Sequence, residues 1–476
     1  MGINLDLYEE EVLADTFTPV SAYLCIRDSS PSFLLESAEG GGKWGRFSFI
    51  GFSSMFQISY KDGDLEIKGK NEVFKKVSTP DPFPQMREFI RSFNLPPLKA
   101  LPRFPGGMVG YLGYDMIRCW ENLPQLSRRD LDVPDAFFII PEYLLIYDHL
   151  THKLKMVSFI NLEEKSREEG YREGRRKMEE IRELLSRNNV KLPSRIEIAS
   201  LRSNFTPSGF KEAVRRVKKY IREGDIIQAV ISQRWKGKVE GDVFSIYRAL
   251  RSINPSPYMF YLDFGNLRLL GASPEVLVRK EGEVIEVRPI AGTRPRGKTE
   301  EEDRYLEEEL LSDEKERAEH IMLVDLARND VGRVAKGGSV EVTELMVVER
   351  YSHVMHIVSH VRGIIAPGED EFSTVSATFP AGTVTGAPKV RAMEIIEEME
   401  PTRRGPYAGA VGYFSFTGNA DFCITIRSML EYGGYIYLQT GAGIVADSQP
   451  DREYEETVNK ARAILKAFEW SKEGLR

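Results

Sequence analysis

Cysteine is scarce. The 476 residues include three, Cys25, Cys119 and Cys423, and no Cys-x-x-Cys pair. Three thiols exclude a disulfide framework, and a reducing cytoplasm is the expected setting. Long apolar runs are missing too. The most apolar stretch, Ala136 to Ile140, is cut by Pro141 and Glu142. With a mean hydropathy of -0.33, no membrane span is expected. The segment Met1 to Thr16 is acidic and lacks the basic start and apolar stretch of a secretory leader. Positive charge is not in surplus: 65 Lys and Arg stand against 72 Asp and Glu, a net charge of -7. That balance excludes a nucleic-acid binder driven by phosphate contacts, though not a local basic pocket for a small anion. The composition also excludes collagen, coiled coil and disorder, and no fixed-period repeat is visible.

What is present is a chain 42% apolar, long enough for a large core. The first 160 residues read as strands and turns, with Phe104 to Tyr111 a turn opening a strand. From Leu162 to Ser186, Tyr171, Met178, Ile181 and Leu185 recur at helical spacing on a charged background. The polar stretch Arg187 to Pro207 is the expected linker, dividing a region 1–190 from a region 200–470. Beyond it, Thr206-Pro207 opens a helix striped by Phe210, Val214, Val217 and Ile221 and stopped by Gly224. Strands are expected at 226–231, 258–263, 275–279, 284–287, 340–348, 410–416, 423–429 and 435–438. Helices are expected at 299–311, 313–328, 388–399 and 451–468, and Thr299 with Glu302 has the pattern of a capping box. Strand runs mixed with a few helices predict an α+β fold with layered sheets.

Two Glu-x-x-Glu units are the most informative feature. Glu316 and Glu319 lie early in one expected helix, Glu453 and Glu456 early in another, and residues three apart share a helix face. In the last helix Glu453, Glu456 and Lys460 fall on one side. Tyr454, Val458, Ala461, Leu465 and Phe468 fall about 100° away, as a packing face. Either pair alone reads as a solvated acidic helix start, where the dipole favours Glu. If the two pairs face one another across a cleft, four carboxylates need a cation. Oxygen-only donors select a hard ion such as Mg2+.

Three segments suit close backbone approach to a ligand: Pro289 to Arg294, Ala381 to Lys389, and Gly441-Ala442-Gly443. The second runs into a helix at Pro388, where free N–H groups favour an anion. Each also reads as an ordinary turn. Arg427, in a strand-like run, either pairs with a structural carboxylate or clamps a substrate carboxylate. His353, His356 and His360 cluster, but no fourth ligand supports zinc. His356 is either a general acid–base or simply hydrogen-bonded.

The chain resembles the chorismate-utilising enzymes, and among them the anthranilate synthase large-subunit family, from about Thr18 to Ala467. The residues that carry the resemblance are Leu34-Leu35-Glu36-Ser37, Asn254-Pro255-Ser256-Pro257-Tyr258-Met259, Gly271-Ala272-Ser273-Pro274-Glu275, the stretch from Pro289, the run Ala318 to Asp330 and Asn459-Lys460-Ala461. The resemblance implies an α+β chorismate-binding fold, two packed β-sheets flanked by helices. It implies a regulatory and partner-binding role for 1–190 and a catalytic role for 200–470. It implies Mg2+ held by Glu319 and Glu456, with Glu316 and Glu453 acting through water. Glu275, His356, Thr383 and Lys460 match catalytic positions. Gly292, Thr293, Tyr407, Arg427, Gly441, Ala442 and Gly443 match substrate-binding ones. Glu36, Ser37, Lys43, Pro257, Tyr258, Met259, Tyr413 and Cys423 match a tryptophan effector site.

The implied reaction joins chorismate and ammonia to give anthranilate and pyruvate, the first committed step of tryptophan biosynthesis. The alternative within the family is aminodeoxychorismate synthase component I. Those enzymes carry a nucleophilic lysine where this chain has Ala291, and water-using relatives carry a lysine where it has Gln228. Neither Ala nor Gln supports those chemistries. No cysteine lies in a glycine-flanked nucleophile turn, so a separate glutamine amidotransferase subunit is expected, in a two-plus-two assembly. Neither a nucleic acid nor a membrane is expected as a partner.

Overall fold

The protein is described from a computed structural model covering residues 2–37, 45–70, 72–97, 102–186, 192, 195–351 and 354–473. Two long strands organise it. Phe47–Lys61 and Ala136–Asp148 pair antiparallel, and their register shifts between Ser54 and Phe56. Ser53, at φ +53°, turns the chain just before that shift, and Ser54 stands opposite Pro141. On one side of this corner the pairing runs through Ser32–Glu36, Tyr258–Asp263, Leu267–Ser273, Ser428–Tyr432 and Tyr435–Ile444 to Gln228–Glu240. On the other it runs through Gly107–Leu112, Ala410–Ser415, Ala420–Ile424, Val276–Glu281 and Val284–Val287 to Val354–Ile364. Both segments of the sequence contribute strands to both layers.

The inner faces meet in the largest core, where Phe260, Leu262 and Leu269 of one layer join Val109, Phe138 and Phe422 of the other. Every residue of Gly107–Leu112 and of Ala410–Ser415 is buried. A strand covered on both sides reads as a continuous apolar run rather than an alternating one. Close approach there demands glycine. A Cβ at Gly110 would lie 1.9 Å from the Phe137 carbonyl oxygen, and one at Gly412 would lie 2.1 Å from that of Asp421.

Helices cover the outside of the first layer. Tyr23, Ile181, Phe244 and Ile464 seal one part. The helices Pro207–Glu223 and Lys389–Met399 seal another through Phe210, Val214 and Ile395. The signals that open and close Pro207–Glu223 act as read. The Gly209 amide donates to the Thr206 hydroxyl at 3.1 Å, and Gly224 sits at φ +85°. The Thr299 cap also forms, but the Glu302 carboxylate accepts from the Lys298 amide instead of closing a reciprocal box.

Several local expectations are corrected. The run 423–429 is two strands, Ala420–Ile424 and Ser428–Tyr432, parted at Arg427, whose φ is +49°. The strand expected at 226–231 extends from Gln228 to Glu240, and that at 435–438 reaches Ile444, because the two pair with each other. His356 and His360 lie on the strand Val354–Ile364, not on a helix, and His353 lies outside the described residues. The buried face of Pro450–Lys472 is Thr457, Ala461, Ile464, Ala467 and Ser471, rotated from the larger apolar residues. Small side chains let this helix approach Phe244–Ile253 and Tyr435–Ile444.

One polar contact ties the outer helices to the sheet. Arg404, 1% exposed, faces Glu400, 3% exposed. Its guanidinium donates to both Glu400 oxygens at 2.7 and 3.0 Å, and to the carbonyls of Val384 and Val230 at 2.7 Å each. Glu400 also accepts from the Ser232 amide at 2.8 Å. Removing one partner strands a charge without water, at a cost of about 3–5 kcal/mol. Arg404→Ala and Glu400→Ala are each expected to lower unfolding free energy by about that amount, and the double variant by clearly less than the sum. Denaturant titrations of the three variants check this; additive losses would contradict it.

Candidate functional site

A cleft of about 430 Å³ opens where the two layers diverge. Its walls come from distant parts of the sequence: the turn before Val276–Glu281, the strand Ile290–Pro295, the start of Val354–Ile364, the short turn Gly382–Val384, the break at Arg427, the end of Tyr435–Ile444 and the C-terminal helix. Glu275, Gly292, Thr293, His356, Thr383, Tyr407, Arg427, Gly441, Gly443 and Lys460 all line it. Ala442 does not: alternation along the strand turns its side chain into the outer core with Phe210 and Ile395.

Glu275 is 7% exposed at the cleft wall. Burial pushes its carboxyl up to about 8, against opposing effects of the Thr383 hydroxyl beside it and the positive charge of Arg427. The group is therefore an acid carrying its proton at neutral pH. Opposite, His356 Nδ1 lies 2.8 Å from the Gly292 carbonyl. A carbonyl only accepts, so Nδ1 holds the proton and Nε2 keeps its lone pair. Burial, first of all, holds the imidazole below its ordinary pKa, which preserves that neutral form.

Glu316, Glu319 and Glu456 adjoin the cleft through Gly292, Gln228 and Lys460. Glu319 is raised by burial, then by Glu316, and also by Glu456 on the other helix. Glu453 is raised by burial and then by Glu456, with Ser448 opposing. The two helix starts therefore face one another. Each of three carboxylates is held by one donor: Glu319 by Gln228 Nε2 at 3.3 Å, Glu456 by Lys460 Nζ at 2.7 Å, and Glu316 by Arg294 at 3.5 Å. Each holder adjoins a cleft glycine. A Cβ at Gly443 would lie 2.6 Å from Gln228 Nε2, Lys460 Nζ donates to the Gly441 carbonyl at 3.0 Å, and a Cβ at Gly292 would lie 3.3 Å from Glu316 itself. Among the described residues, no three His, Cys, Asp or Glu side chains are yet close enough to share an ion. Mutually repelling carboxylates with oxygen-only donors nevertheless fit a hard dication.

A second, smaller cavity of about 60 Å³ lies between the layers. Glu36, Ser37, Pro257, Tyr258, Met259, Tyr413 and Cys423 line it, and Lys43 lies outside the described residues. Glu36 Oε1 and Ser37 Oγ are buried there without a hydrogen-bond partner. Sequence reading missed Arg279 and Asp421, a buried pair 2.8 Å apart in its wall, to which the Tyr258 hydroxyl adds a 2.8 Å bond to Asp421. It also missed Arg404, which holds Val384 and Val230 at the cleft floor and lies over the Tyr407 ring at 5.8 Å. No local pattern marks Arg279, whose partner Asp421 is far away in the sequence, and the four-residue step from Glu400 to Arg404 does not reveal the carbonyls of Val384 and Val230 that Arg404 also holds.

A two-layer α+β protein with a protonated acid and an acidic mouth on one cleft belongs among enzymes of small anionic metabolites. Comparison makes the class specific: the chain belongs to the chorismate binding enzyme family, whose model matches residues 30–466. It is 50% identical to anthranilate synthase component 1 of Aquifex aeolicus, over 97% of this chain and 94% of that one. It is 49% identical to the protein of that name from Acetivibrio thermocellus, over 96% and 94%. Among solved structures, anthranilate synthase component I from Streptococcus pneumoniae matches with a TM-score of 0.80 at 37% identity, covering 96% of this chain and 99% of that one.

The raised Glu275 carboxyl carries a pH signature. Its folded value of about 8 lies above the unfolded value near 4.5. The folded state therefore binds the extra proton between those limits, and stability falls as pH rises through the window. Glu275→Gln removes that slope. The variant is expected to gain on the parent from about pH 4.5 upward, by a few kcal/mol at most near pH 8. Parallel unfolding curves across pH 5–8.5 check it, and parallel slopes would refute a buried neutral acid.

Proposed function

We propose that the chain is the large subunit of an anthranilate synthase, converting chorismate and ammonia into anthranilate, pyruvate and water. What carries this is a buried Glu275, its carboxyl pushed up to about 8, in the same cleft as His356, whose Nδ1 is taken up by the Gly292 carbonyl and leaves Nε2 its lone pair. Ammonia attacks C2 of the chorismate ring as the C4 hydroxyl departs. Hydroxide is a poor leaving group, and Glu275 gives it a proton so that water leaves. Arg427 and Thr293 hold the enolpyruvyl group. His356 Nε2 accepts the C2 proton in the second half, as the enolpyruvyl C–O bond breaks, pyruvate departs and the ring becomes aromatic. Glu319 and Glu456, with Glu316 and Glu453, are the residues that would hold Mg2+, which supplies neutralisation of the ring carboxylate and of charge developing beside it. Ala291, in the cleft wall, offers no amine for covalent attack.

Ammonia comes from a partner. Burial raises all three thiols, with Cys119 pushed up to about 11. A protonated thiol is a weak nucleophile, so glutamine hydrolysis falls to a glutamine amidotransferase subunit, two of each chain forming the assembly. The small cavity is the tryptophan site. Its orphan acceptor on Glu36 suits an ammonium and its orphan hydroxyl on Ser37 a carboxylate. No helix among the described residues is long and apolar enough to cross a membrane, and the cytoplasm is the proposed compartment.

The purified chain with chorismate, Mg2+ and ammonium is expected to form fluorescent anthranilate and equimolar pyruvate; an amino product without pyruvate would reject the reading. Glu275→Gln should keep chorismate affinity and lose about 10²–10⁴ in turnover. Chelation should abolish turnover, and Glu319→Gln should raise the Mg2+ concentration needed for half-maximal rate, with an unchanged requirement contradicting its place in the site. Ser37→Ala should weaken tryptophan inhibition about tenfold or more while the uninhibited rate stays near that of the parent. Unaltered inhibition would remove Ser37 from the effector cavity.

A further inference from the structure

A third cavity, of about 270 Å³, opens on another side of the molecule. It lies between the start of helix Pro19–Ile26, the helix Phe244–Ile253 and the end of Pro450–Lys472. Thr18, Val20, Arg248, Arg251, Ser252 and Trp470 line it, and it shares no wall residue with the chorismate cleft or the small cavity.

Arg248 and Arg251 stand three residues apart on one helix, so their guanidiniums share a face. Like charges at that spacing repel. The two are not equivalent. Arg251 donates through Nε to Glu36 Oε2 at 3.2 Å. Arg248 is half-buried; burial lowers its guanidinium pKa, and no carboxylate among the described residues offsets the loss of water. A partly desolvated guanidinium without a counter-charge among the described residues, in one cavity with a second cation and the Ser252 hydroxyl, is a set of donors lacking its acceptor.

We propose that this cavity binds a small phosphate-type oxyanion, held between Arg248 and Arg251 with Thr18 and Ser252 at its rim. Guanidinium forks match the several acceptors of a tetrahedral oxyanion, which a lone carboxylate does not supply. The volume admits a phosphate with its waters. Since Arg251 also holds Glu36, an anion here competes for the same guanidinium that steadies one wall of the small cavity.

Inorganic phosphate titrated into the full chain at constant ionic strength, against a chloride control and followed by calorimetry, tests the site. One saturable event is expected. Arg248→Gln should weaken it about tenfold or more, Arg248→Lys should restore part of the loss, and melting temperatures should confirm that both variants are folded. Arg427→Gln, which removes a cation from the chorismate cleft, should leave phosphate affinity unchanged. Absence of saturation, equal binding in Arg248→Gln, or loss in Arg427→Gln would each overturn the assignment. The readout is binding alone, so it stands apart from whether the cleft makes anthranilate.

Discussion

The cleft depends on one guanidinium sealed from water. Arg404 spends its donors on a carboxylate from the end of a helix, on a carbonyl of the strand Gln228–Glu240 and on a carbonyl of the turn Gly382–Val384. The strand is remote in sequence from the other two, which flank the helix Lys389–Met399. Their relative placement sets where Thr383 meets Glu275 and where Tyr407 closes the floor. Apolar packing could bring the same elements together, but it is non-directional. A fork with fixed donor directions specifies one arrangement.

Around that anchor the electrostatics are graded. The interior of the cleft holds a neutral carboxyl and a neutral imidazole, both kept uncharged chiefly by burial. The mouth holds the opposite: carboxylates raised in part by one another. Gln228, Lys460 and Arg294 each restrain one of them, and Gln228, Lys460 and Glu316 each adjoin one of the cleft glycines. The glycine positions thus serve the ligand and the acidic group together. A side chain at Gly443 would displace Gln228 and so release Glu319.

The parts legible in the sequence are those whose physics is local. Thr206 and Gly224 bound their helix because a cap bond and a left-handed residue need no distant partner. The two Glu-x-x-Glu units were visible as faces, while their convergence required motifs shared with a family. What escaped was set by pairing at long range. Gln228–Glu240 outruns its apolar core because Tyr435–Ile444 supplies a partner along its length. The last helix turns mostly small residues inward, with Ile464, because neighbouring elements lie close. Arg279 and Asp421 carry no local pattern, the contacts of Arg404 beyond Glu400 are remote, and Arg427 reads as a strand residue between Ile426 and Ser428.

Arg427 has a further consequence. Its left-handed backbone is a conformation an L-residue holds only at a cost of about 1–2 kcal/mol. Glycine would relieve that cost and erase the guanidinium in the cleft. Selection for heat resistance alone would therefore drift this codon toward glycine, while any use of the guanidinium in the cleft would hold it. The enzyme's fitness landscape contains a position at which ruggedness and usefulness pull apart.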